Sequence, residues 1–142
     1  MRPEDSLRNE LIVALAPHIA VECIETGAQN PGFNDVLLAV PGADGLYPTE
    51  LKVGRLVDKD SVVEIDYRAA QNAKQAELRR RIRCVWTLVQ VPEVSTFFLV
   101  RDYRASWPLR ELSVRAIWSG TILTGLKAFL MDAEWESGKE PR

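Results

Sequence analysis

The strongest constraint on the fold lies between residues 34 and 53, where two apolar segments flank a run of turn-forming residues. The segments Asn34 to Val40 and Tyr47 to Val53 have strand-like composition, and Pro41-Gly42-Ala43-Asp44-Gly45 separates them. Proline and glycine favour chain reversal, and a reversal between two such segments closes an antiparallel hairpin. The sequence therefore predicts two neighbouring strands joined by a short connection.

Other segments of the chain have the composition of helices or of strands. We expect helices at Pro3 to Ala16, Arg68 to Arg83 and Thr121 to Glu136, and further strands at Ile19 to Ile24, Val85 to Val91 and Thr96 to Arg101. The stretch from Gly54 to Asp66 is expected to be loose, and Tyr103 to Trp118 is ambiguous. The order predicts an α/β (α+β) domain in which helices cover a central mixed β-sheet.

Length and composition favour one soluble domain. The chain has 142 residues, of which 46% are hydrophobic, and this is enough apolar material for one core. We expect a single domain over residues 1–136 and a frayed tail over 137–142. We also expect no membrane segment, because no apolar run approaches about 20 residues. The first residues lack the pattern of a secretory signal, so a cytoplasmic location is expected.

Charge is distributed unevenly along the chain. The net charge of −2 argues mildly against a nucleic-acid partner. Between Leu51 and Arg115, however, thirteen lysines and arginines stand against eight acidic residues. The basic middle of the chain therefore permits contact with phosphates.

Glu50, Leu51 and Lys52 carry the clearest chemical signal. Alternate side chains of a strand share a face, so Glu50 and Lys52 project together while Leu51 points away. Asp35 begins the preceding strand, and closing the hairpin brings it beside them. Two carboxylates can hold Mg²⁺ through hard oxygen ligands, and a lysine can stabilise charge that develops on a phosphate. This set suits hydrolysis of a phosphodiester.

With Gly32-Phe33-Asn34-Asp35 followed by Glu50-Leu51-Lys52, the sequence resembles the PD-(D/E)XK nuclease superfamily. That superfamily includes restriction endonucleases, archaeal-type Holliday junction resolvases and the VRR-NUC domains often carried by phages. Asn34 stands where the motif has proline. The resemblance implies a restriction-endonuclease-like αβββαβ core over Pro3 to Arg101, extended here by another strand and a C-terminal helix.

The resemblance also implies an activity and a partner. It indicates a DNA endonuclease dependent on Mg²⁺ or Mn²⁺ and without an organic cofactor. Asp35, Glu50 and the backbone carbonyl of Leu51 would bind the metal, and Lys52 would be the catalytic lysine. Branched or structured DNA as substrate, a homodimer, and a bacterial cell or its phage as source are expectations of the same kind.

Two supporting residues follow from the same resemblance. Many members direct a glutamate of the first helix toward the metal, and Glu10 is the best candidate because it lies at the edge of the predicted apolar stripe. Glu22 and Glu25 compete for this role as a third carboxylate. A glutamine that opens the helix after the lysine strand is matched by Gln71.

Candidate DNA contacts come from the basic middle of the chain, and they are Arg55, Lys74, Arg79 and Arg104. Trp107 could stack on an unpaired base, but packing within the domain explains it equally well. A zinc site and a histidine-based triad are not expected, because His18 is the one histidine.

Two rival hypotheses stay open. In the first, the chain is a non-catalytic member of the same fold that binds nucleic acid or a protein. In the second, it is a structural or assembly protein, for instance of a phage, and the charges of the hairpin are ordinary surface charges. The first rival predicts DNA binding that needs no metal, and the second predicts no metal binding.

Overall fold

The computed structural model describes residues 3–23, 36–40, 46–59, 61–65, 86–101 and 104–132. Its helices are α1 (Pro3–Leu15), α2 (Leu109–Arg115) and α3 (Leu123–Met131), with a 3₁₀ turn at Pro92–Val94. Its strands are β1 (Ala20–Cys23), β2 (Val36–Ala39), β3 (Leu46–Val53), β4 (Arg55–Val57), β5 (Val62–Glu64), β6 (Trp86–Val91), β7 (Thr96–Val100), β8 (Ser106–Pro108) and β9 (Trp118–Gly120). The helix predicted at Arg68 to Arg83 and the tail over 137–142 lie outside the described residues.

Within the described residues the larger sheet has six strands, in the order β1-β2-β3-β6-β7-β9. β3 pairs with β6 in parallel, and the other pairings of this sheet are antiparallel. The predicted hairpin is confirmed, because β2 and β3 pair antiparallel with Val36 opposite Thr49 and Ala39 opposite Leu46. The chain thus has the predicted mixed sheet flanked by helices.

One face of this sheet is covered by α1 and α3. Leu7, Leu11 and Leu15 recur at helical spacing and are fully buried. They pack with leucines of α3 against apolar residues of the strands, including Leu51 of β3. Lys127 of α3 donates a hydrogen bond from Nζ to the carbonyl oxygen of Ala16, 3.0 Å away, just beyond the end of α1. We refer to this side of the sheet as the helical face.

The opposite face is covered by a second sheet of three strands, in the order β4-β5-β8, and by α2. We refer to it as the covered face; its core consists of Val63, Ile65, Val89, Val91, Phe98, Val100, Trp107 and Leu112. The expectation of a loose connection over Gly54 to Asp66 was wrong, since β4 and β5 form there. The ambiguous stretch from Tyr103 contains β8 and α2, which the buried Trp107 and Leu112 fix to the sheet.

Gly54 marks the point where the chain passes from β3 in one sheet to β4 in the other. Its N–H donates a hydrogen bond to the carbonyl oxygen of Gln90 at 2.8 Å, which extends the pairing of β3 with β6. A Cβ atom at this position would lie 2.8 Å from Cγ1 of Val63 and 3.2 Å from Cγ1 of Val89. A side chain at this position would therefore force Val63 or the backbone around it to shift.

None of the described helices is both long and apolar enough to span a bilayer.

Gly54→Ala tests this close approach. We expect it to lower the free energy of unfolding by about 1–3 kcal/mol, because the added methyl group overpacks the contact between the sheets. The measurement is urea unfolding followed by circular dichroism. Gly125→Ala is the matched control, since its Cβ would meet Trp118 at an ordinary 3.4 Å and alanine favours the helix. Equal stability of the two variants would contradict the proposed contact.

Candidate active site

Glu50 and Lys52 lie on β3, in the interior of the larger sheet between β2 and β6. Both side chains project to the covered face, while Leu51 between them packs into the helical face. Glu50 is 1% exposed and Lys52 is 9% exposed. Nζ of Lys52 lies 3.8 Å from Oε2 of Glu50. A buried carboxylate and a nearly buried ammonium group therefore stand together on one face.

The burial of this ion pair has an energetic cost. Removing two charges from water costs several kcal/mol per ion, and their mutual attraction repays this only with excellent geometry. A separation of 3.8 Å is at the long end for an ion pair. Replacing a buried ion pair by apolar residues of similar volume is often neutral or stabilising, so the pair is weak evidence for a stabilising role. A functional role is the alternative explanation.

Asp35 lies outside the described residues. Its neighbour in sequence, Val36, is the first residue of β2 and is paired with Thr49, the residue before Glu50. The described part of β2 therefore begins beside the strand residue that precedes Glu50.

Thr87 is a neighbour of Glu50 that the sequence reasoning missed. It lies on β6 directly opposite Glu50 in the parallel register, so the two side chains share the covered face. Thr87 is 1% exposed, and its Oγ1 has no hydrogen-bond partner within the described part of the chain. A sequence signal could not have found it, because the pairing of β3 with β6 joins segments more than thirty residues apart.

Glu10 is not brought to the Glu50–Lys52 pair. It is exposed on α1 and lines a depression of about 290 Å³ together with Gln90 and Phe97. Phe97 belongs to the core of the helical face. Glu10 and Glu50 therefore lie on opposite sides of the sheet.

Among the other two candidate carboxylates, Glu22 lies on the same side of the sheet as Glu50. It is an exposed residue of β1 paired with Leu37, which is in turn paired with Pro48 of β3. Side chains of paired residues share a face, and Pro48 shares its face with Glu50. Glu25 is outside the described residues, as is Gln71.

Two of the four predicted DNA contacts are described, and Lys74 and Arg79 are not. Nη2 of Arg55 lies 3.0 Å from Oε1 of Glu64, and both side chains are exposed. Both residues line a cleft of about 480 Å³, whose wall also includes Val53, the residue after Lys52. A guanidinium with solvent access thus lies close along the chain to the buried pair.

Arg104 contacts Glu111 and Trp107 while 41% of its side chain stays exposed. Its Nη1 lies 2.7 Å from Oε2 of Glu111, and its guanidinium carbon is 4.4 Å from the centroid of the Trp107 ring. Trp107 itself is fully buried, so its ring is not available to stack on a base. The packing explanation of Trp107 is therefore the one the structure supports.

The donor types at the Glu50 site fit a hard divalent cation. The Glu50 carboxylate supplies oxygen atoms of the kind that Mg²⁺ and Mn²⁺ prefer, and the hydroxyl-bearing Thr87 is its partner on the next strand. Within the described residues no group of three or more His, Cys, Asp or Glu side chains could hold a metal. The resemblance assigns the second carboxylate to Asp35, which lies outside the described residues, and a further oxygen to the backbone carbonyl of Leu51.

Comparison of the chain with models of protein families, with curated proteins and with solved structures finds no match.

A double-mutant cycle on Glu50→Gln and Lys52→Met tests the energetic coupling of the pair. We expect an interaction free energy of about 1–3 kcal/mol from urea unfolding, because removing one partner leaves the other charge in a buried site. The control is the cycle Arg55→Met with Glu64→Gln. The nitrogen–oxygen distance in this pair is shorter, but both side chains are exposed. Its interaction free energy should be about 0.5 kcal/mol or less. Similar coupling in both cycles would show that burial does not strengthen the Glu50–Lys52 interaction.

Proposed function

We propose that the chain is a metal-dependent endonuclease of the PD-(D/E)XK type that hydrolyses DNA phosphodiester bonds. The observation that carries the proposal is the buried Glu50–Lys52 pair on an interior strand. Ordinary surface charges would be exposed to solvent, whereas this pair is buried. A core that served only stability could be built from apolar residues, whereas this one contains two charged side chains.

The topology supports a restriction-endonuclease-like core for this proposal. The described order begins with α1, continues through the antiparallel strands β1, β2 and β3, and adds β6 parallel to β3. This agrees with the αβββαβ core that the resemblance implies, except that the helix expected before β6 falls outside the described residues. β4, β5, β8 and α2 would then be additions that cover the face carrying the site.

The proposed reaction is the attack of water on phosphorus, with cleavage of a P–O bond and uptake of a proton by the leaving oxygen. A bound Mg²⁺ or Mn²⁺ would supply charge neutralisation at the phosphate and acidify water. Glu50 would hold that cation together with Asp35. The ammonium of Lys52 would stabilise the negative charge that develops on the phosphate, and its low exposure strengthens this interaction.

The cleft beside Arg55 is the proposed path of the DNA backbone. Its lining includes Val53, the residue after Lys52, and the guanidinium group of Arg55. A phosphate could replace Glu64 as the partner of this guanidinium group. Branched DNA as substrate and a homodimer as the working unit are further parts of the proposal, and they come from the resemblance.

Cleavage assays test the proposal directly. Supercoiled plasmid, single-stranded, duplex and four-way-junction DNA are incubated with Mg²⁺ or Mn²⁺ and either the wild type or Asp35→Asn, Glu50→Gln or Lys52→Met. We expect metal-dependent cleavage by the wild type and a loss of about 100-fold or more in each variant, since each removes a group that acts on the charged transition state.

Glu10→Gln is the control for this assay. The Glu10 carboxylate lies on the opposite side of the sheet from Glu50, so this variant should retain nearly full activity. Equal cleavage by the wild type and by all three site variants would remove the catalytic proposal. DNA binding that is indifferent to metal would then favour a non-catalytic protein of the same fold.

The role of Arg55 gives a separate prediction about DNA binding, measured by fluorescence anisotropy in EDTA so that no cleavage occurs. Arg55→Ala should weaken binding and reduce the slope of log K against log salt concentration by about 1. Glu64→Gln should tighten binding several-fold, because it removes both a negative charge and the competitor for Arg55. Wild-type affinity in both variants would place the DNA path elsewhere.

A further inference from the structure

Thr87 is buried in a setting that does not require a hydroxyl. On the covered face its neighbours include Val89 on the same strand and Val100, its partner on β7. Valine has nearly the shape of threonine without the polar atom. A threonine among valines, beside a buried carboxylate, thus introduces one hydroxyl into an apolar wall.

Comparison with another threonine shows that a strand residue here can satisfy its own hydroxyl. Thr49 is fully buried on β3, and its Oγ1 donates to the carbonyl oxygen of Tyr47 at 3.1 Å. Oγ1 of Thr87 has no partner within the described part of the chain. A buried hydroxyl without a partner destabilises the folded state, so its presence opposes stability.

The register fixes what this hydroxyl faces. Thr87 is the partner of Glu50 across the parallel pairing, so the two side chains project to the same face. Because Oγ1 of Thr87 makes no direct hydrogen bond to Glu50, an interaction between the two groups has to pass through a water molecule or a bound ion.

We propose that Thr87 is a positioning residue of this site. Its hydroxyl hydrogen-bonds a water molecule held beside the Glu50 carboxylate when a divalent cation is bound, and it thereby orients the oxygen donors around the cation. The inference rests on the proposed function, which it extends to a residue outside the motif.

This role gives Thr87→Val two opposite effects. In the absence of metal the variant gains stability, because the orphaned hydroxyl is gone. The variant also binds the divalent cation more weakly than the wild type does, because a hydrogen bond of the metal-bound state is lost. Removing such a supporting group typically reduces metal affinity about 10–100-fold.

The experiment compares the wild type, Thr87→Val, Thr87→Ser and Thr49→Val. Melting temperatures are measured in EDTA, and Mn²⁺ affinities are measured by isothermal titration calorimetry. We expect Thr87→Val to melt about 3–6 °C higher than the wild type and to bind Mn²⁺ at least about tenfold more weakly. Thr87→Ser keeps the hydroxyl and should bind within about threefold of the wild type.

Thr49→Val is the matched control on the other face of the same sheet. It removes a hydroxyl that has a partner, so it should lower the melting temperature and leave Mn²⁺ affinity unchanged. A merely structural Thr87 would behave in the same way as Thr49.

The possible outcomes distinguish a failure of the Thr87 role from a failure of the proposed nuclease function. Wild-type Mn²⁺ affinity in Thr87→Val overturns the positioning role and leaves the nuclease proposal standing. A lower melting temperature or failure to fold in Thr87→Val also overturns it, because the hydroxyl would then be needed for stability. Absence of Mn²⁺ binding by the wild type overturns the proposed function and the inference together.

Discussion

The parallel pairing of β3 with β6 joins the two halves of the larger sheet. The meander β1 to β3 lies on one side of this seam, and β6, β7 and β9 lie on the other. Helices cover one face and the second sheet covers the other, so side chains along the seam are shielded from water. Any polar group there must either be partnered or serve a purpose. Glu50 and Thr87 face each other across this seam, which is why the candidate site and the packing of the domain cannot be separated.

The covered face surrounds the candidate site with packed elements of the domain. The second sheet and α2 shield much of the surface on which Lys52 lies, and Lys52 retains only 9% exposure. Electrostatic interactions strengthen as water is excluded, so a single ammonium acts more strongly here than on an open surface. The same shielding raises the desolvation free energy of the two charged groups. Such a site therefore lowers the stability of the folded state.

Local patterns in the sequence were sufficient to predict α1, the β2–β3 hairpin and the shared face of Glu50 and Lys52. Each depends on residues close in the chain: a leucine stripe, a Pro-Gly reversal and the alternation of a strand. The β4–β5 hairpin was missed because its turn contains Asp58 and Lys59 at φ values of 53° and 57°, with no glycine to signal it. The pairing that sets Thr87 against Glu50, and the side of the sheet on which Glu10 lies, are decided by tertiary packing and had no local signal.

Gly54 has a consequence for how the chain can vary in length. The interval from Glu50 to Gly54 fixes the face of each side chain and also the point where the strand leaves one sheet for the other. One inserted or deleted residue would turn Lys52 or its successors to the wrong face and move the glycine away from Val63. The connection between β4 and β5 fixes neither a catalytic face nor a close approach of the sheets. Relatives of this chain should therefore keep the spacing between the carboxylate and the glycine constant, while the β4–β5 turn varies freely in length.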